Sequence, residues 1–184
     1  YWKDEIPKIS SNLNGNKNVQ VEIITGDYLD FSSPIAPKNS WANNKKNDVA
    51  VWIIRLDSNG NFAIPNTKSG AKRNLYVLKG SNMEIDGQSI SGGSMVTLDS
   101  SKNTVIKNLG SKTKILMLQG VPINEPVVKY GPFVMNTRSE IEQAFYDYNK
   151  TEFGGWKWGN SDPIHGMEKE KFAKLINGNI IKPS

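Results

Sequence analysis

Apolar and polar positions alternate along the first two thirds of this chain. Val19–Ile24 shows the period of two that marks a half-buried strand. Val49–Leu56 is apolar at nearly every position, which predicts a strand buried on both faces. Shorter runs follow: Asn61–Ile64, stopped by Pro65, and Arg73–Lys79, ended by Gly80. Met83–Ile85 and Gln88–Ile90 flank Asp86-Gly87, a hairpin signal, and Ser94–Leu98, Asn103–Leu109 and Lys114–Gln119 complete the series. About eight strands at roughly ten-residue spacing predict an all-β sandwich or barrel, a double-sheet jelly roll being one such architecture. Ser32–Lys38, with Pro34 and Pro37, reads as an extended loop, and Trp41–Asp48 as a polar one.

The rhythm changes after Gly120. Glu125-Pro126 and Gly131-Pro132 impose extended or turn backbone on either side of Tyr130. Thr137 and Glu140 have the spacing of a capping box, in which each side chain satisfies the other's backbone N–H. Ile141, Ala144, Phe145 and Tyr148 then form one apolar stripe, so a helix is expected over 138–150, ended by Gly154-Gly155. Met167–Ile176 suggests a second, short helix. The division expected is a lead-in between domains over 1–18, one domain over 19–156 that includes the helix, and a tail over 157–184 packing on the barrel or a partner domain.

Composition narrows the chemistry. The sequence of 184 residues has no Cys, which excludes disulfides, thiolate metal sites and Cys nucleophiles. Its net charge of +5 comes from bases spread thinly, at Lys45-Lys46, Lys68, Lys72-Arg73, Lys112 and Lys114. That scatter reads as a solvated surface rather than a nucleic-acid stripe. The apolar runs are far shorter than the ~20 residues of a membrane span. No basic and apolar leader pattern stands at the N-terminus, so a cytoplasmic setting is expected.

Asn124-Glu-Pro-Val-Val-Lys-Tyr-Gly-Pro-Phe-Val-Met-Asn-Thr137, followed by a helix with an acidic start, resembles the signature near the C-terminus of the pirin family. The resemblance implies a cupin: a double-stranded β-helix barrel with a C-terminal helix and an extended tail. It picks out Asn124, Glu125, Pro126, Tyr130, Gly131, Pro132, Phe133 and Asn136 as structural or interdomain positions; the aromatics Tyr130 and Phe133, set around a rigid turn, are expected to pack on the barrel, with lining a pocket as the alternative. It also makes Trp156 and Trp158, in a run similar to the family's Phe-Gly-Gly-Trp, candidates for docking. Pirins are two cupins in one chain, so the resemblance further implies an N-terminal cupin ahead of Tyr1.

In metal-binding cupins a His-x-His, a later Glu and a further His surround one metal, iron in the pirin N-terminal domain. Here Tyr76-Val-Leu-Lys-Gly80 resembles the end of the first motif, but Pro65–Asn74 before it holds neither His nor carboxylate. The second motif would fall near Asp99–Asn103, again without His. The single histidine, His165, cannot assemble such a site, and with one imidazole no Ser-His-carboxylate arrangement is readable either. No catalytic, cofactor or metal residue is therefore assigned, and iron, or another divalent metal, is expected only in the N-terminal domain.

Three functions stay open. The chain is the non-catalytic half of a quercetinase-like metal-dependent dioxygenase, with the N-terminal cupin as its partner. Alternatively, it is a protein-interaction module of a transcription co-regulator or stress-related pirin. Third, it is a small-ligand cupin using its barrel as a pocket.

Overall fold

Strand parity sets which side chains reach the interior. The computed structural model describes residues 2–10, 18–67, 70–155, 170–175 and 177–183. They form two compact units, 1–122 and 123–183. In the first, β1 (Lys8–Ser10), β2 (Val19–Thr25), β3 (Ala50–Leu56), β5 (Lys72–Lys79), β8 (Met95–Leu98) and β10 (Thr113–Gly120) form one sheet in the order β1-β2-β3-β10-β5-β8. The second sheet joins β4 (Asn61–Ile64), β9 (Thr104–Asn108), β6 (Met83–Ile85) and β7 (Gln88–Ile90). Every pairing is antiparallel.

Inward positions of both sheets build one core. Val21, Ile23, Trp52, Ile54, Leu75 and Met117 from the larger sheet join Phe62, Ile64, Met83 and Ile106 from the smaller. Tyr28 closes against it, edge-on to Trp52 at 5.2 Å between ring centroids. Two sheets interleaved by crossovers around a shared core make the jelly-roll cupin the pattern implied.

Several elements depart from the sequence reading. The strand at Val49–Leu56 is not buried on both faces: Ala50, Trp52, Ile54 and Leu56 point inward, while Val51, Ile53 and Arg55 are only half-buried. The lead-in contributes an edge strand, β1, whose Ile9 is buried. Trp41–Asn43 and Lys45–Asn47 coil into two single turns capped by Ser40 and Asn44. Asp86 and Gly87 both take positive φ, 49° and 80°, as a tight two-residue hairpin turn requires.

In the second unit, β11 (Val128–Tyr130) and β12 (Phe133–Met135) form a hairpin that leads into α1 (Arg138–Thr151). The capping box is in place. The Thr137 hydroxyl accepts from the Glu140 N–H at 3.2 Å, and Glu140 Oε2 accepts from the Thr137 N–H at 2.7 Å. The left-handed cap that ends α1 is Glu152, at φ 48°, ahead of the two glycines. The second helix is replaced in its described part, 170–175, by β13 (Ala173–Lys174), which pairs with β14 (Ile180–Ile181). None of the described helices is long and apolar enough to cross a membrane.

Glu140 carries a pH prediction. Hydrogen bonds from the Thr137 hydroxyl and N–H, with another from the Asn136 N–H, hold its carboxyl below the usual glutamate value. A depressed folded-state pKa means the cap is whole above the ordinary carboxylate range and is lost as pH falls through the lowered value. The Thr137 amide resonance should titrate with a midpoint below that of an unperturbed glutamate; an ordinary midpoint would contradict the reciprocal cap.

Candidate functional site

The two segments where a metal-binding cupin would carry its ligands do meet in this structure. The Asn66 N–H donates to Asn103 Oδ1 at 2.8 Å and the Thr67 N–H to the Ser100 carbonyl at 2.8 Å. Ser100 Oγ donates to the Ala71 carbonyl at 2.5 Å. Segment 65–74 is thus knitted to segment 99–103 by backbone and neutral side chains.

Arg73 lies near the end of the first segment. As an inward position of β5, beside Leu75 and Val77, it is only 2% exposed. Its Nε donates to Gln119 Oε1 at 2.7 Å on β10, and Nη2 donates to the Pro65 carbonyl at 2.9 Å. Gln119 Nε2 in turn donates to the Asp48 carbonyl at 3.2 Å, and the Thr67 hydroxyl donates to Asp48 Oδ2. Burial pulls the Arg73 guanidinium below its ordinary pKa, and the negative charge of Asp48 offsets part of that.

The donor set does not suit a metal. A guanidinium has no lone pair to give and cannot be deprotonated in a protein, so Arg73 repels a divalent ion from the position it holds. The carboxylate within segment 99–103, Asp99, is engaged by Ser101 at 3.0 Å (N–H) and 2.6 Å (Oγ) and by Lys102 at 3.4 Å. Among the described residues, no three His, Cys, Asp or Glu side chains come together as a metal site. Iron therefore does not fit here.

A ligand pocket inside the barrel also lacks room. Val21, Ile23, Ile54, Leu75, Met83, Ile106, Ile115 and Met117 fill the interior, each at 0% exposure. Clefts lie outside the core instead. One of about 460 Å³ is lined by Asp27, Ser32–Ala36, Ala42–Lys45 and Asp48, and another of about 430 Å³ opens on the larger sheet.

The signature residues converge in the second unit. Asn136 Nδ2 donates to Glu125 Oε2 at 2.7 Å, which fixes the Asn124-Glu125-Pro126 bend to the start of α1, with Asn124 itself at φ 58°. Tyr130 and Phe133 find ring partners on the helix. Both stack edge-on against Phe145, at 5.8 and 4.9 Å, and Phe133 also meets Tyr148 and Phe153. Gly131 and Pro132 make the turn between β11 and β12. Gly131 has φ 56°, and a Cβ there would sit 3.3 Å from Phe145 Cζ. Gly131→Ala should lower stability by about 1 kcal/mol or more; an unchanged Tm would count against this. Trp156, Trp158 and His165 lie outside the described residues.

Sequence reasoning missed Asn108, which is fully buried. Its Nδ2 donates to the carbonyls of Leu56, Asp57 and Ser111, and its Oδ1 accepts from the Gly110 N–H and the Thr113 hydroxyl. Asn near the end of a strand run usually signals a turn, so the role shows only once residues 56–57 are brought against 108–113.

Comparison with known proteins agrees with the geometry. The profile of the family described as the pirin C-terminal cupin domain matches residues 51–154. A Vibrio cholerae protein named "Putative quercetin 2,3-dioxygenase" is 34% identical over 141 residues, which are 77% of this chain and 44% of that protein. Human pirin is 26% identical over 155 residues, covering 82% of this chain and 49% of its own length. The crystal structure of a quercetin 2,3-dioxygenase from Acinetobacter baumannii superposes with a TM-score of 0.66 at 26% identity, over 83% of this chain and 49% of that one. The chain spans about half the length of these relatives. With its jelly roll, its signature hairpin and helix, and this match across more than half its residues, the chain belongs to the pirin family and carries that family's C-terminal cupin domain.

Proposed function

We propose that this chain is the non-catalytic, metal-free half of a two-cupin pirin-type dioxygenase, acting in the cytoplasm beside an N-terminal cupin that holds the iron. The observation that supports the reading is the chemistry of the two segments that would have to supply metal ligands: the first holds Arg73, buried, permanently charged and tied to the Pro65 carbonyl and Gln119, and the one carboxylate of the second, Asp99, is engaged by Ser101 and Lys102. The names of the relatives support the activity of the whole protein, and their double length supports a companion domain. Exposed Ile123, Val127, Tyr130 and Val134 around the signature hairpin give the second unit apolar surface to offer such a companion.

In this reading the chain contributes packing and shape, while its partner binds oxygen and substrate. The test compares the chain alone with the protein that includes the upstream domain, using quercetin and dioxygen. Turnover is expected only from the longer protein, and metal-dependent turnover by the chain alone would overturn the proposal.

A further inference from the structure

The register of the larger sheet lines up cations that the sequence scatters. Lys114 on β10 pairs directly with Arg55 on β3 and, across the other edge, with Lys79 on β5. Paired residues of antiparallel strands project to the same face. Leu56, Ile54, Thr113 and Ile115 point inward and fix this face as the outer one for Arg55 and Lys114, while a register shift between Lys114 and Ile115, with an extra residue on β5, sets exposed Lys79 opposite Lys114 although Val77 is buried. Three positive side chains therefore stand in a row across three adjacent strands, at about 4.8 Å per step.

Two cations at this site have carboxylate partners. Arg55 is held by Glu22, at 3.1 and 3.2 Å through its two terminal nitrogens, and Lys112 lies 3.5 Å from Asp57. Lys79 and Lys114 have none within ion-pair distance among the described residues. Like charges directly opposite each other across strands destabilise a sheet. Here that arrangement lines a cleft of about 430 Å³, together with Gln20, Thr113 and Lys112.

We propose that this cleft binds a compact polyanion of the diphosphate type, with Lys79 and Lys114 as its principal contacts and Lys112 and Arg55 on its flanks. Ammonium groups suit phosphate oxygens as point charges, and a ligand with two charged centres answers two opposed lysines where a single chloride does not. The site is separate from the Arg73 cluster and does not depend on the proposed division of labour between cupins.

The test measures binding of inorganic pyrophosphate, ADP and adenosine to the 184-residue chain at matched ionic strength, by calorimetry and thermal shift. Pyrophosphate should bind and raise Tm. ADP binding no tighter than pyrophosphate would identify a free phosphate compound, tighter binding would identify a nucleotide, and either supports the site. Lys79→Gln/Lys114→Gln should weaken binding about tenfold or more. Without ligand, the same variant should melt about 1–3 °C higher than the wild type, because the opposed charges are gone. Pyrophosphate binding no better than chloride, binding by adenosine alone, or affinity unchanged in the double variant would each overturn the proposal.

Discussion

Arg73→Ala should destabilise the chain by about 3 kcal/mol, a fall in Tm of about 6–12 °C for a protein of this size. Arg73 is 2% exposed, and its guanidinium donates to Gln119 Oε1 and the Pro65 carbonyl. Truncation takes the donor away from both part-buried acceptors and leaves Asp48 without its nearby positive charge. Arg73→Met should cost less than Arg73→Ala, since it refills the space without restoring the hydrogen bonds. Thermal or urea denaturation of both variants checks the order; wild-type stability in Arg73→Ala would mean the cluster is ornamental.

Asn108→Ala should be about as damaging, at about 3 kcal/mol. One amide satisfies the carbonyls of Leu56, Asp57 and Ser111, the Gly110 N–H and the Thr113 hydroxyl, so its loss leaves several polar groups with no neighbour to turn to. Asn108→Asp is a sharper probe. It keeps the size and the Oδ1 acceptor but turns the second oxygen, now without hydrogens, toward three carbonyls, and buries a charge with no cation supplied for it. It should unfold at least as readily as Asn108→Ala. If Asn108→Asp proved neutral, water would have to reach this end of the barrel.

Much of the fold was legible because its signals are local. Alternation placed β2 and β5 to within a residue or two, Asp86-Gly87 gave the hairpin, and Thr137 with Glu140 gave the start of α1. What escaped was set by partners distant in sequence. β1 has three residues and one buried side chain, too few for any period to show. Ala173–Lys174 follows helical spacing but pairs with Ile180–Ile181, and pairing overrides propensity in so short a segment. Arg73 reads as half of a basic surface pair with Lys72 until parity turns it inward. The row of Arg55, Lys114 and Lys79 exists only in register, and no scan along the chain brings those three together.

The candidate site was legible in what it lacks and illegible in what replaces it. Segments 65–74 and 99–103 show in sequence that imidazoles are missing. They do not show that the two segments are hydrogen-bonded together or that Arg73 turns inward to bond the Pro65 carbonyl and Gln119. The aromatic signature was likewise readable as a rigid turn, whereas its ring partners on α1 required the structure.

The segments 65–74 and 99–103 offer a buried arginine and an already paired aspartate in place of metal ligands, so this chain is expected to hold no metal of its own. Elemental analysis of the purified chain, produced in cells supplied with iron, nickel and zinc and then freed of loosely held ions, tests it most directly. No stoichiometric metal is expected, in the wild type and in Arg73→Met alike. One equivalent of any of these metals retained per chain would contradict it.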